Sequence, residues 1–306
     1  MNIFYWSPFF DQIATIQAVI KSAESLIKYN NEKTSNKVFL IDSIGEWEPY
    51  KDLIDNQIEI IKLNKKNYTN SLLKGGFIRS RISYLFIFFL NFFKLTKLIN
   101  KEKPDFLIVH LMTSLPIFLS LFFNKKTKII LRISGLPNLN LLRLYFWKFF
   151  SGKIYKITCP TESTYNYISQ KNIFNNEKIF ILRDPVININ DFIIKKKEKL
   201  NDKTFLNKKI LVSIGRLTKQ KNFSFLIFSF QKILFKYPDY NLIILGEGEQ
   251  RKILEKLILD LKLTDKVHIL GYQENIYKFL NIAECFVLSS LWEDPGFVLI
   301  EAALNN

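Results

Sequence analysis

The chain has 306 residues, 48% hydrophobic and 24% charged, values that exclude a disordered or disulfide-stapled protein and allow a sizeable buried core. That length exceeds what one core usually fills, so two domains are expected. The net charge is +16 and unevenly placed: residues 71–160 hold fifteen Lys or Arg against Glu102 and Asp105, a net +13, a field suited to an anionic partner such as lipid headgroups or nucleic acid.

The start, MNIFYWSP, has no basic segment, apolar stretch or small-residue cleavage site of the secretory kind. A strand is expected at 3–5 and a helix at 11–28, joined by a loop that ends in Ala14-Thr15. Strands at 38–41 and 58–63 precede a helix at 78–98. The longest nearly apolar run there, 82–93, contains Ser83 and Asn91 and is too short to cross a bilayer, so no transmembrane helix is expected. Strands at 106–110, 128–133, 156–159 and 179–182 alternate with helices at 116–123, 139–150 and 162–169, the pattern of a parallel α/β sheet. Cys159 and Cys285 lie in apolar strand-like runs, where a small buried thiol is the usual occupant and a reducing cytoplasm fits.

A first domain is therefore expected over 1–185, and the charged stretch 186–207 reads as a linker. A second domain over 208–306 continues with strands at 210–214, 242–245, 267–270 and 285–288 and helices at 222–235, 249–261, 276–281 and 296–304. The chain stops at EAALNN, inside or just past a helix with no strand to follow, and reads as truncated there.

Chemistry concentrates at the ends of strands. After the strand ending near Leu288 comes Ser289-Ser290-Leu291-Trp292-Glu293-Asp294-Pro295-Gly296-Phe297-Val298-Leu299-Ile300-Glu301. Asp294 is placed to cap a helix, Pro295 to open it, and Gly296 to let a ligand approach the backbone. Free amides and a positive helix end at the C-terminal edge of a parallel sheet form a phosphate site. Glu293 in the loop and Glu301 on the helix flank one crevice. Gly215-Arg216-Leu217-Thr218-Lys219-Gln220-Lys221 follows another strand, with Arg216 and Lys221 able to reach one anion from both ends of the loop. Gly246-Glu247-Gly248 reads as a structural turn. His110 ends a strand at a sheet edge, whereas His268 lies within a strand and reads as structural.

The Glu-x7-Glu spacing of Glu293 and Glu301 across a Gly-Phe helix start, with the G-R-L-x-x-x-K segment some 70 residues earlier, resembles the donor site of family 4 retaining glycosyltransferases. The members that it resembles build bacterial polysaccharide and lipopolysaccharide. The resemblance implies the GT-B fold, two Rossmann-like doubly wound α/β domains facing each other across a cleft. It also implies roles: Glu301 on the nucleotide ribose, Glu293 on the transferred sugar, and amides near Gly296, Phe297 and Val298 on the diphosphate. Arg216 and Lys221, after Gly215, neutralise that diphosphate, Tyr272 after Gly271 edges the nucleobase pocket, and His110 lines the sugar. Many members carry Gly-Gly where Ala14-Thr15 stands here, so Thr15 becomes the candidate phosphate-loop donor. Ser134-Gly135 replaces the His-Gly of many members.

The function implied is transfer of a hexose from a nucleoside diphosphate, UDP or GDP, to a glycan or lipid-linked acceptor with retention. Neither Asp-x-Asp, a Cys/His cluster nor His-Glu-x-x-His occurs, so neither a metal nor another cofactor is implied. Aromatic and basic residues interleaved across 71–160 suggest a peripheral site on the cytoplasmic face of an anionic membrane. The alternatives are a nucleotide-sugar epimerase of the same fold and a basic non-enzymatic nucleic-acid-binding protein. No nucleic-acid-binding module is recognised, and nucleic acid is not the expected partner.

Overall fold

The computed structural model describes residues 1–10, 15–29, 35–73, 77–185, 187–200, 203–205, 208–293 and 296–305. They form two compact units, Met1–Val186 and Ile187–Asn306.

The first unit is a parallel seven-stranded sheet in the order β3-β2-β1-β4-β5-β6-β7. In chain order its elements are β1 (Asn2–Trp6), α1 (Thr15–Lys28), β2 (Lys37–Asp42), β3 (Ile58–Lys62), α2 (Phe77–Glu102), β4 (Phe106–Val109), α3 (Ser114–Leu119), β5 (Lys128–Arg132), α4 (Leu141–Phe150), β6 (Ile154–Cys159), α5 (Glu162–Gln170) and β7 (Ile179–Ile181). The strands are near-continuous apolar runs because helices cover both faces of the sheet. One face packs Ile3, Tyr5, Val38 and Leu40 against Ile16, Val19 and Ile20 of α1. The other packs Phe4, Trp6, Leu107 and Leu131 against α2, α3 and α4. Burying each such side chain contributes about 1.5–3 kcal/mol.

Helix α2 carries the nearly apolar run 82–93 within a longer helix. The helix runs 26 residues. Its part from Arg79 to Glu102 is long and apolar enough to cross a bilayer, and much of it is exposed. The polar interruptions are absorbed inside: Ser83 and Asn91 are buried, and Asn91 accepts from Asn64 Nδ2 at 2.9 Å and donates to Ile87 O at 3.0 Å.

The second unit begins with α6 (Ile189–Lys197) and continues β8 (Lys209–Ile214), α7 (Phe223–Lys236), β9 (Tyr240–Leu245), α8 (Arg251–Asp260), β10 (Val267–Gly271), α9 (Tyr277–Leu280), β11 (Cys285–Phe286) and α10 (Phe297–Asn305). Its parallel sheet has the order β10-β9-β8-β11. Within the stretch read as linker, 186–207, α6 docks onto this unit. Asn275 and Asn281 donate to the carbonyls of Lys195 and Lys196 at 2.9 and 2.6 Å, and the Phe192 ring meets Tyr277 edge-on at 4.9 Å. Cys159 is buried as expected, but Cys285 is exposed. The reason is that β11 is a two-residue edge strand paired with β8 alone among the described residues. His268 packs edge-on against Phe205 at 5.2 Å.

Candidate functional site

In both units the strand order reverses beside the first strand, between β1 and β4 and between β8 and β11. Loops leaving the C-terminal ends of the two strands at such a point diverge and leave a crevice, where open α/β sheets take their ligands. The second unit fills that position with the two strongest sequence motifs.

Residues 215–221 leave β8 and residues 287–293 leave β11, and the two segments are stitched together. Leu291 N donates to Gln220 O and Gln220 Nε2 to Trp292 O, both at 2.9 Å, while Ser289 Oγ donates to Lys221 O at 2.8 Å. The central contact is an ion pair between Lys221 Nζ and Glu293 Oε1, with the side chains 12% and 19% exposed. Ser290 Oγ donates to the same carboxylate oxygen at 2.5 Å. Gly215 lies beneath the lysine stem, where a Cβ would come within 2.8 Å of Lys221 Cε. Arg216 is exposed at the mouth of the loop.

A second turn holds this loop in shape. Leu217 N donates to Glu247 O at 2.8 Å and Gln250 N to Leu217 O at 2.9 Å. A Cβ on Gly246 or Gly248 would meet the carbonyl oxygen of Gly215 or Leu217 at 2.0 or 2.4 Å, and Gly246 has φ +146°. Only glycine permits that approach, so Gly246-Glu247-Gly248 is the structural turn that the sequence suggested.

Gly296 is buried with φ +71° and leads into α10; the proposed cap Asp294 and opening Pro295 lie outside the described residues. Phe297 is half-buried and Val298 buried. Glu301, one turn further, is partly buried, and that burial pushes its carboxyl up to about 7. Its charge adds to burial in raising the Tyr277 hydroxyl to about 12, with Asp191 acting in the same sense. Tyr272, after β10, is exposed.

The first unit treats its candidates differently. His110 follows β4 at the reversal point but is wholly buried, which corrects the expectation of an imidazole open to a crevice. Its Nε2 hydrogen-bonds Ser134 Oγ at 2.8 Å. Burial, and then the charge of Arg132, lower it to about 3, so it is neutral at working pH. Ser134, at the position of the family's usual second histidine, thus serves the first one. Thr15 is half-buried at the first turn of α1. The loop 11–14 before it lies outside the described residues.

Two buried polar clusters in this unit escaped sequence reasoning. Arg132 forms an ion pair with Asp184, the side chains 5% and 3% exposed. An arginine inside the apolar run KIILRI was the available signal, since a buried guanidinium needs an anion. Glu46 accepts from Ser43 N, Ser43 Oγ and Ile44 N at 3.0, 2.8 and 2.7 Å, and Asp42 accepts from Gly45 N at 2.6 Å. Burial and then the neighbouring Asp42 hold the Glu46 carboxyl well above its usual range. Among the described residues no group of three or more His, Cys, Asp or Glu is placed to hold a metal ion.

Two parallel α/β units, one with a basic loop and a paired glutamate at its strand reversal, define a protein of the GT-B nucleotide-sugar-binding class. Residues 194–305 match the family model described as glycosyl transferases group 1. An uncharacterized glycosyltransferase of Methanocaldococcus jannaschii is 32% identical over 291 residues, covering 90% of this chain and 69% of that protein. An N-acetylgalactosaminyltransferase of Campylobacter jejuni, whose name specifies a diphospho-undecaprenol-linked acceptor, is 39% identical over 97 residues, 32% of this chain and 26% of that enzyme. Among solved structures, HepE of Anabaena in complex with UDP superposes with a TM-score of 0.71 at 13% identity, covering 100% of this chain and 79% of that one. The chain belongs to the group 1, or family 4, glycosyltransferases and has their GT-B fold.

Proposed function

We propose that this chain binds a UDP-sugar on its second unit and transfers the hexose, with retention at the anomeric carbon, to a glycan or lipid-linked acceptor. One observation carries the reading: the reversal between β8 and β11 brings Arg216 and Lys221 to the same sheet edge as Glu293 and the start of α10. Cleaving a sugar–diphosphate bond leaves charge on the leaving phosphate. Fixed cations and helix amides aimed at that charge lower the barrier most.

Arg216 and Lys221 take the diphosphate, with the amides at Gly296, Phe297 and Val298. Glu293 orients the sugar hydroxyls, Glu301 accepts from the ribose, and Tyr272 borders the base. Lys221 is paired with Glu293, and a bound diphosphate competes with that carboxylate for the ammonium. The acceptor hydroxyl gives up its proton to the leaving phosphate oxygen as the new glycosidic bond forms, so no side chain need act as nucleophile. UDP is preferred to GDP on the complex of the Anabaena structure, and a lipid-linked acceptor on the specificity in the name of the Campylobacter relative.

The test is calorimetry with UDP and GDP, then turnover of UDP-sugars on polyprenyl-linked acceptors, with the product anomer read by NMR. Binding of UDP that Arg216→Ala weakens by about 1.5–3 kcal/mol, with an α-linked product from an α-linked donor, supports the reading. Free sugar epimerised without an acceptor replaces it by the epimerase, and binding to nucleic acid alone by the non-enzymatic alternative.

A further inference from the structure

We propose that α2 and α4 together form a membrane-docking face that lies in the headgroup layer of an anionic phospholipid leaflet without crossing it. On α2 the inward row is Ser83, Ile87, Asn91, Leu95 and Ile99, each at most 2% exposed. Half a helical turn away runs a second row with the same spacing of four: Arg81, Leu85, Phe89, Phe93 and Lys97, all exposed. It is apolar at its centre and basic at both ends. Helix α4 repeats the arrangement. Trp147 and Phe150 are buried, while Leu141, Tyr145 and Phe149 form an exposed row with the exposed Lys148 beside it. The six apolar side chains of the two rows are 58% to 81% exposed.

Leu95 and Ile99 of α2 and Trp147 and Phe150 of α4 enter the same core cluster on one face of the seven-stranded sheet, while Ile87 packs against Ile44, Leu72 and Met112. Their bare rows therefore point away from that face together. Phe118 of α3 joins the helices: its ring lies 6.3 and 6.1 Å from Phe88 and Phe92 of α2 and 6.2 Å from Phe150 of α4. At the other end Arg143 of α4 sits close enough to Arg81 for the like charge to add to burial in lowering its guanidinium. Water is a poor partner for exposed phenylalanine rows, and the exposed lysines beside them favour an anionic surface. A phospholipid leaflet supplies both, apolar depth for the rings and phosphate for the cations. Spanning is excluded by the inward row, because an α2 that crossed the bilayer would withdraw Ile87, Leu95 and Ile99 from the core and leave Asn64 without Asn91.

The test is flotation of the full chain with vesicles of phosphatidylcholine alone or mixed with phosphatidylglycerol. Wild type should float with the mixed vesicles only, and raising salt from about 0.1 M to about 0.5 M should cut the bound fraction about tenfold. The variants Phe89→Ser/Phe93→Ser and Tyr145→Ser/Phe149→Ser change exposed positions and should keep the wild-type circular dichroism while losing flotation. The charge variant Lys97→Glu/Lys148→Glu, which removes no packing, should lose it as well.

Equal flotation with neutral vesicles, none with either, or variants that float like wild type would each overturn the proposal. So would resistance to alkaline carbonate extraction, which marks a spanning helix. A wild-type dimer that Phe89→Ser/Phe93→Ser converts to a monomer makes the face a contact between copies. The proposal does not rest on the donor site, and UDP binding by these variants, measured alongside, separates its failure from failure of that reading.

Discussion

Replacing Glu293 by Gln should make UDP bind more tightly and the enzyme work more slowly. With side chains 12% and 19% exposed, the Lys221–Glu293 pair lies between exposed pairs, which contribute about 0–1 kcal/mol, and buried ones, where losing a partner costs about 3–5 kcal/mol. A value of about 1.5 kcal/mol is reasonable for the attraction that a diphosphate must displace. Glutamine keeps an acceptor for Ser290 Oγ but removes that competition, so UDP affinity should rise about tenfold. Turnover of the UDP-sugar should fall, since the carboxylate that orients the sugar is gone. Calorimetry with UDP alone reads the first effect and steady-state kinetics the second. Unchanged or weaker UDP binding by Glu293→Gln would refute the exchange of partners at Lys221.

Glu301 makes the second unit sensitive to pH. Burial raises its folded pKa from the ordinary 4.5 to about 7, so its stabilising contribution is full below the unfolded pKa and is lost as pH rises through about 7. Partial exposure reduces the effect to about 2 kcal/mol. Urea unfolding at pH 5 and pH 9 should show that loss in wild type and not in Glu301→Gln, and equal losses in both would contradict it. Arg132→Met strands Asp184 in the core and should destabilise the first unit by about 3–5 kcal/mol; a midpoint within error of wild type would mean that the pair is solvated. Transfer should survive a strong chelator, because charge on the leaving diphosphate is met by Arg216, Lys221 and amides, and rescue of a chelated enzyme by manganese or magnesium would reveal a missed site.

The donor motifs were readable because each consists of a few chemically distinct residues packed into a short loop. Gly215, Arg216 and Lys221 stand out after an apolar strand, and Glu293 and Glu301 flank a helix start. Their meeting was less readable: Lys221 and Glu293 are 72 residues apart, and only the placement of β11 beside β8 makes them partners. His110 shows the opposite limit. Its position after β4 was legible, but whether an imidazole faces solvent depends on Ser134 and Arg132, which arrive from β5 and the segment after it. The docking of α6 within 186–207 was not legible from composition, since the lysines of α6 cover carbonyl and asparagine contacts that tie it to the second unit. In helix α2 the polar interruptions Ser83 and Asn91 are buried, because their spacing of eight residues places both on its inward face.

If both proposals hold, the two units would offer anionic ligands separate places to bind. Inside the first unit three buried polar groups have partners of their own: Arg132 pairs with Asp184, Glu46 accepts from its own loop amides, and a neutral His110 meets Ser134 through Nε2. On the docking face proposed above, the exposed basic residues of α2 and α4 are the ones that would meet an anionic leaflet. In the second unit the opposite holds. Arg216 is exposed and Lys221 is held by a single carboxylate that a substrate can replace. A mobile nucleotide needs a site whose internal pair is weak enough to open, whereas attachment to a leaflet needs many cations that never exchange. Salt should therefore release the protein from vesicles well before it abolishes UDP binding, because the partly buried Lys221 is screened less than side chains on an open helical face.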